Sequence, residues 1–178
     1  KIKLQHFILL SAICIQKPKL AFQRAKLRFN SKLMSSGLRY SIVLPTAFFK
    51  SLSGQVNRIK NGKSFLVFGT GKRTSSLPIS EIDLAKYIVN CIGSEESWNK
   101  SLPVGGPGPA VTPIDQAEML FKIFDKPKKI KHISPRFFDF ALVLLFPVSF
   151  FSQKIKDKVE LLKIGKYYAE ESMLYYDA

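Results

Sequence analysis

Residues 6–44 decide the fold, because they contain two short apolar runs on either side of an amphipathic segment. Residues 6–11 (HFILLS) are almost unbroken in their apolar character, which predicts a strand covered on both faces. Residues 19–36 (KLAFQRAKLRFNSKLMSS) repeat apolar positions at helical spacing up to Gly37. Residues 40–44 (YSIVL) predict a second strand that Pro45 ends. The order strand, helix, strand with short joints predicts a βαβ unit, and hence an α/β fold with a parallel sheet.

The helical spacing in residues 19–36 also predicts which side chains face the core. The apolar positions that share the predicted inner face are Leu20, Phe22, Ala25, Leu27, Phe29 and Leu33.

Further elements follow downstream. Residues 64–68 (SFLVF) predict a strand that leads into a glycine-rich turn. Ser80, with Asp83 three residues later, predicts a helix N-terminus. Thr112 followed by Pro113 predicts another. These two helices are expected to bury two sets of side chains: Leu84, Ala85, Tyr87, Ile88 and Cys91 in the first, and Ala117, Met119, Leu120 and Phe124 in the second. A last helix is expected over residues 154–176.

Composition bounds the function. The chain has 178 residues, 46% of them hydrophobic, which is enough to form a folded core. Its net charge of +15 suits an anionic partner. The Lys and Arg residues are spread along the chain rather than aligned in a stripe with interleaved aromatic residues, so no nucleic acid partner is expected. Cys14 and Cys91 are isolated, as are His6 and His132, and no metal site is predicted.

Residues 137–151 (FFDFALVLLFPVSFF) are the most apolar run of the chain. Fifteen residues interrupted by Asp139 and Pro147 are too short to span a bilayer. The run therefore predicts either a buried helix or one that lies at a membrane interface.

Two glycine clusters resemble phosphate-binding loops but lack essential features. In residues 105–108 (GGPG), Pro107 and the following Pro109 lack the amide donors that a pyrophosphate needs. In residues 69–72 (GTGK), the Walker pattern is broken by Leu66 and Arg73. Both clusters are predicted to be turns.

Several consecutive strings resemble the 8-vinyl reductases of plastids, which are atypical short-chain dehydrogenases. Residues 6–14 (HFILLSAIC) look like the strand of that family that ends in the active-site serine. Residues 22–27 (FQRAKL) and 40–52 (YSIVLPTAFFKSL) continue the likeness. It extends through the PISEIDLA, GGPG and KIGKYYA strings to residue 173 and covers nearly the whole chain.

The resemblance implies the C-terminal part of a Rossmann-like fold and an NADPH-dependent reaction. The substrate would be divinyl chlorophyllide or protochlorophyllide, whose C8 vinyl group is reduced to ethyl. Carried over by position, Ser11 is the active-site serine, and Lys26 is the lysine that holds the nicotinamide ribose. Phe22 stands where ordinary short-chain dehydrogenases have the tyrosine that acts as the general acid, although it also suits the core face of a helix. Pro45, Thr46, Ala47 and Phe48 are expected near the nicotinamide and the tetrapyrrole.

A phenylalanine at position 22 suits the reduction of an alkene. Carbonyl reduction needs a proton donor beside the developing oxyanion, and phenylalanine has none. A vinyl group conjugated to a macrocycle spreads negative charge over the ring and takes its proton from another donor or from water. The chain departs from the family at Leu44, where the family usually has arginine.

The family's first strands, with their glycine-rich cofactor loop, are missing from this sequence. We therefore expect the natural protein to continue upstream of Lys1. Residues 1–62 are predicted to form the C-terminal half of the NAD(P)-binding domain. Residues 63–178 are predicted to form a substrate-side region of small strands and helices.

The resemblance implies a plastid location, with contact at a thylakoid or envelope surface. A second interpretation remains: a non-catalytic relative or assembly factor bound to a photosynthetic membrane complex, because fold does not fix activity.

Overall fold

The computed structural model describes residues 4–176, which form two compact units. The first unit combines residues up to Leu52 with Leu77–Pro109 and the segment from Met173 onward. The second comprises Ser53–Ser76 and Ala110–Ser172. The division of the sequence at residue 62 stays a prediction. Each unit is α/β, with six helices and parallel strand pairs across the described part of the chain.

The predicted βαβ unit is confirmed. Strand β1 (Phe7–Leu10), helix α1 (Ala21–Met34) and strand β2 (Tyr40–Pro45) follow one another, and β1 pairs in parallel with β2. Strand β6 (Lys100–Val104) pairs in parallel with the other edge of β2. The sheet order is therefore β1-β2-β6, with β2 at its centre and every β2 residue buried.

Strand β1 is less buried than its apolar sequence predicts. Within residues 4–176 it pairs with β2 alone, which makes it an outer strand of the sheet described here, and Leu10 is 44% exposed. Apolar character alone cannot distinguish an outer strand from a central one, since strand order is decided by pairing partners.

Two further elements complete the first unit. Strands β3 (Ala47–Phe48) and β5 (Pro78–Ile79) form a short parallel pair. Helix α3 (Glu81–Asn90) begins at the predicted cap, where the Ser80 hydroxyl accepts a hydrogen bond from the Asp83 amide at 3.0 Å. Of its predicted inner residues, Leu84 and Cys91 are buried and Ala85 is exposed. The buried pair packs in one cluster with Val43 and Ile79.

The inner face of α1 differs from the predicted one. Leu20 and Leu33 are buried as expected, but Ala25 and Phe29 are exposed. The positions between them are filled by Gln23 and Asn30, which are 0% and 6% exposed. An apolar pattern overlooks such polar side chains, because their burial depends on hydrogen bonds that form only in the folded chain.

Gln23 connects α1 to the segment before it. Its Oε1 accepts hydrogen bonds from the Lys19 and Leu20 amides, both at 2.8 Å. Its Nε2 donates to the Cys14 carbonyl at 3.0 Å. One side chain thus satisfies backbone groups at the start of the helix and in the turn after β1.

We expect Gln23→Met to lower the free energy of unfolding by about 2 kcal/mol, because buried backbone groups lose their partners. Urea denaturation followed by circular dichroism measures this change. The matched control is Gln153→Met, since Gln153 is exposed and its amide donates to the exposed Asp157 carboxylate rather than to buried backbone. Equal stability of the two variants would contradict the assigned role of Gln23.

The second unit contains a parallel strand pair and four helices. Strand β4 (Phe65–Phe68), predicted from the sequence, pairs with β7 (Ile130–Ile133). The helices are α2 (Ser53–Lys60), α4 (Pro113–Ile123), α5 (Arg136–Leu145) and α6 (Gln153–Glu170). The last of these covers most of the helix predicted over residues 154–176.

Helix α4 begins at the predicted Thr112-Pro113 cap. The Thr112 amide and hydroxyl both donate to the Asp115 carboxylate, at 2.8 and 2.7 Å. These hydrogen bonds hold the pKa of Asp115 below its usual range. Along the helix, Ala117 is buried as predicted, but Phe121 is the second buried residue, and Met119 is 52% exposed.

Candidate functional site

The carboxyl end of β1 carries the strongest candidate site. Ser11 follows the strand directly, is 6% exposed, and donates its amide to the Val43 carbonyl on β2 at 2.8 Å. Parallel strands present their carboxyl ends at one edge of the sheet, where open α/β folds bind ligands. The residue after β1 is therefore placed where a ligand would lie.

Helix α1 supplies the other side of this site. Lys26 is half-buried, and it lines a pocket of about 270 Å³ together with Ser11. The remaining lining residues are Leu9, Leu10, Ala25, Phe29 and Asn30. The structure thus brings together two of the three predicted catalytic residues, although they are separated by a turn and more than one turn of helix in the chain.

Asn30 is a site residue that the sequence interpretation missed. It lies one helical turn after Lys26, and its Oδ1 accepts the Ser11 hydroxyl hydrogen bond at 3.3 Å. This bond fixes the direction of the Ser11 proton and leaves the oxygen lone pairs directed elsewhere. The available signal was the spacing of the polar residues Gln23, Lys26 and Asn30, which repeats every three to four residues on one helix face.

Phe22 lies on the first turn of α1 and is half-buried. It is not among the residues that line the pocket of Ser11 and Lys26. Its role in chemistry stays a prediction.

The residues after β2 form a second part of the same sheet edge. Pro45 ends β2, and Thr46, which is 8% exposed, donates its hydroxyl to the Leu77 carbonyl. Ala47 and Phe48 then pair with β5. None of these four residues lines the pocket of Ser11 and Lys26. Their predicted contact with a cofactor stays a prediction, and the geometry shows that Thr46 holds the 77–79 segment against the sheet.

Leu44, the departure from the family pattern, is 6% exposed in the centre of the sheet. The surroundings of this position accept an apolar side chain. An arginine at this depth would need a partner for its charge, so the local environment suits the residue that is present.

The glycines at 105 and 106 permit a close approach of two chain segments. A Cβ on Gly106 would lie 2.0 Å from the Pro78 carbonyl oxygen, and one on Gly105 would lie 2.8 Å from the Leu77 Cβ. The Gly106 amide donates to the Leu77 carbonyl at 3.0 Å. This cluster therefore packs against β5 backbone, and the Gly106 amide is used within the protein.

Among residues 4–176, no group of three or more His, Cys, Asp or Glu side chains is arranged to hold a metal ion.

Comparison with known proteins gives close relatives. The chain is 52% identical over 97% of its length to the chloroplastic divinyl chlorophyllide a 8-vinyl-reductase of Cucumis sativus. It is 48% identical, again over 97%, to the protein of the same name from Arabidopsis thaliana. These alignments cover 42% and 43% of the relatives, so the chain spans less than half the length of the curated proteins it matches. No protein-family model matches the chain.

Solved structures share the fold at low identity. A crystal structure of isoflavone reductase matches with a TM-score of 0.71 at 11% identity, covering 97% of this chain and 57% of that one. UDP-glucuronic acid 4-epimerase from Bacillus cereus, solved with UDP-glucuronic acid and NAD, matches with a TM-score of 0.64 at 15% identity, covering 75% of this chain and 50% of that one. These likenesses establish a Rossmann-like α/β fold. At about 50% identity across nearly its whole length, this chain matches the C-terminal portion of the divinyl chlorophyllide a 8-vinyl-reductases, as its sequence predicts.

Proposed function

We propose that this chain is part of an NADPH-dependent oxidoreductase that reduces the 8-vinyl group of divinyl chlorophyllide to an ethyl group. The observation that carries the proposal is the identity of 48–52% with four chloroplastic 8-vinyl-reductases over 97% of the chain. The convergence of Ser11 and Lys26 on one pocket supports it, because the fold alone does not require these two polar side chains to meet at that edge.

The pocket suits the nicotinamide end of a dinucleotide. Its polar groups are the Lys26 ammonium, the Ser11 hydroxyl and the Asn30 amide, which together offer donors and acceptors for ribose hydroxyls and a carboxamide. The apolar side chains of Leu9, Leu10 and Phe29 provide surface for a flat ring. A bound NADPH would supply the hydride that the reduction adds to the vinyl group.

Each polar residue has a distinct task in this proposal. Lys26 holds the ribose and places a positive charge beside the reacting ring, where it stabilises negative charge that develops in the substrate. Ser11 accepts hydrogen bonds from the bound nucleotide or substrate through its oxygen lone pairs, while its hydroxyl donates a hydrogen bond to Asn30 Oδ1. Phe22 adds no proton donor, and the proton that completes the ethyl group comes from another donor or from water.

Residues 45–48 border the site in this proposal. Pro45 ends β2 and residues 46–48 follow it, at the same edge of the sheet where Ser11 follows β1, so they would lie beside the nicotinamide and the tetrapyrrole. Thr46 acts indirectly, since its hydroxyl is bound to the Leu77 carbonyl. Its contribution is to hold the wall of the site in position.

The test is conversion of divinyl to monovinyl chlorophyllide by the purified protein with NADPH, followed by liquid chromatography and absorbance. We expect a monovinyl product whose formation requires NADPH and is much slower with NADH. Binding of NADPH without any product would contradict the reductase activity. Absence of NADPH binding, with co-purification on a photosynthetic membrane complex, would favour the non-catalytic alternative.

We further propose that the protein acts in the plastid, at a membrane surface. The chloroplastic relatives support the compartment. The hydrophobic tetrapyrrole supports the membrane, because such a substrate partitions into lipid.

A further inference from the structure

Helix α5 has one face packed inside the second unit and another face exposed. On the inner face, Phe138 is 4% exposed and packs against Phe68 with ring centroids 4.6 Å apart and the rings tilted by 43°. Gly165 of α6 lets the two helices approach, because a Cβ there would lie 2.9 Å from the Phe138 ring. Asp139 is bonded to Lys166 of α6. The helix is thus fixed in place without its outward side chains.

The outward face of α5 and the turn after it are apolar. Phe140, Val143 and Leu144 are 71%, 75% and 62% exposed, and Phe150 and Phe151 are 75% and 90% exposed. We call this surface the phenylalanine face; its exposed members are Phe137, Phe140, Val143, Leu144, Phe146, Val148, Phe150 and Phe151. Exposed apolar groups are normal singly, but a contiguous sequence run of this kind marks an interaction surface.

The face is too short to cross a bilayer. Helix α5 ends at Leu145, the 3-10 turn Pro147–Phe150 follows, and no helix in the described part of the chain is long and apolar enough to cross a membrane. Helices that lie in the plane of a membrane combine a phenylalanine- and leucine-rich face with flanking Lys and Arg.

Positively charged residues flank the phenylalanine face in the sequence. Residues 131–166 contain seven Lys or Arg and three acidic residues, a net charge of +4. Lys154, Lys156 and Lys158 are exposed and follow the apolar run directly. Cationic side chains next to exposed apolar ones complement the negative headgroups and the acyl chains of an anionic lipid surface.

A pocket beside the face contains both kinds of group. It has a volume of about 440 Å³ and is lined by Phe150, Phe151, Lys156 and Lys163, among others. Glu160 also lines it and pairs with Lys163 at 2.7 Å, so Lys156 is the cation that adds net charge. Ser152 also lines this pocket, as does Ser149, whose hydroxyl donates to the Phe146 carbonyl at 2.6 Å.

We propose that the phenylalanine face, with Lys154 and Lys156, docks the protein on an anionic lipid surface, and that the pocket at Lys156 receives a negatively charged headgroup. The inference rests on the membrane location proposed above and names the surface and the lipid class that would serve it. A lipid surface fits better than a folded protein partner, since it accepts flexible apolar side chains and distributed positive charge without a matching shape.

The experiment is co-sedimentation of the purified protein with phosphatidylcholine vesicles, with and without phosphatidylglycerol. We expect binding only when the anionic lipid is present, and weaker binding as salt rises. The combined variant Phe140→Ser, Phe150→Ser, Phe151→Ser is expected to bind at least about tenfold more weakly. Its matched control replaces Ile82, Val89 and Ile92 by serine, since these are 69%, 60% and 67% exposed on or just after α3.

Charge is tested separately. Lys154→Glu with Lys156→Glu is expected to weaken binding more than about tenfold, since each lysine near an anionic surface contributes roughly fivefold. Lys63→Glu with Lys100→Glu, which changes two exposed lysines elsewhere, is the control and should change binding far less.

Three results would overturn the docking surface. The first is equal binding to neutral vesicles, and the second is unchanged binding of the phenylalanine variant. The third is that the unmodified protein does not bind vesicles but forms a dimer, and that the phenylalanine variant is monomeric. Vinyl reduction measured without vesicles separates this inference from the proposed function. Vesicle binding without reductase activity would support the docking surface and contradict the proposed activity. Reductase activity without vesicle binding would support the activity and contradict the docking surface.

Discussion

Lys26→Met is expected to lower kcat/KM for NADPH-dependent vinyl reduction by about 100-fold or more. Methionine keeps most of the volume of the side chain but removes the positive charge from the pocket that Ser11 and Asn30 also line. Loss of a group that positions the nicotinamide and stabilises developing charge has effects of this order. Steady-state kinetics with varied NADPH measures the change.

The control for this variant lies on the same helix. Lys32→Met removes a lysine that is exposed near the end of α1 and lies outside the pocket. We expect its kinetics to match those of the unmodified protein, with thermal stability retained in both variants. Comparable activity of the two variants would remove Lys26 from the site.

Gly106→Ala is expected to lower the free energy of unfolding by about 3 kcal/mol or more. The added Cβ would lie 2.0 Å from the Pro78 carbonyl oxygen, and this oxygen belongs to backbone that cannot rotate away. The chain must then shift the 105–106 segment away from β5, which costs packing and strain. Since the Gly106 amide donates to Leu77, whose carbonyl also receives the Thr46 hydroxyl, the edge of the site would move as well. Urea denaturation measures the loss.

Gly54→Ala provides a control of opposite sign. Gly54 lies in the first turn of α2, and a Cβ there would meet nothing within 4 Å. Because alanine restricts the unfolded chain and favours helix, this variant should be more stable by roughly 0.5 kcal/mol. If Gly106→Ala were as stable as Gly54→Ala, the close approach to Pro78 would not exist in the protein.

Local sequence predicted the βαβ unit and two helix starts well. Strands β1, β2 and β4 have compact apolar runs, and the hydroxyl caps at Ser80 and Thr112 involve neighbours only three residues away. Signals of this kind lie within a few residues and do not depend on the rest of the fold. Strand β6 was not predicted, because Lys100 and Pro103 interrupt its apolar pattern. An edge position tolerates both residues, and only pairing with β2 reveals the strand.

The site was predicted in part. Resemblance to the family named Ser11 and Lys26, and the structure brings them to one pocket. Asn30 was missed because its role depends on a hydrogen bond to a residue 19 positions earlier. That Phe22 lies outside the pocket lining could not be predicted either. The same apolar spacing fits a helix in several rotations about its own axis, so the spacing does not say which side chains reach the pocket.

The sequence by itself determined the parallel α/β character, the relatives, and the presence of a strongly apolar run at residues 137–151. The tertiary structure alone decided where these features face. It buried Gln23 and Asn30 on the inner side of α1, and it turned Phe138 inward and Phe140 outward on α5. The physical reason is that composition and periodicity record how apolar a segment is, whereas exposure depends on which other segments cover it.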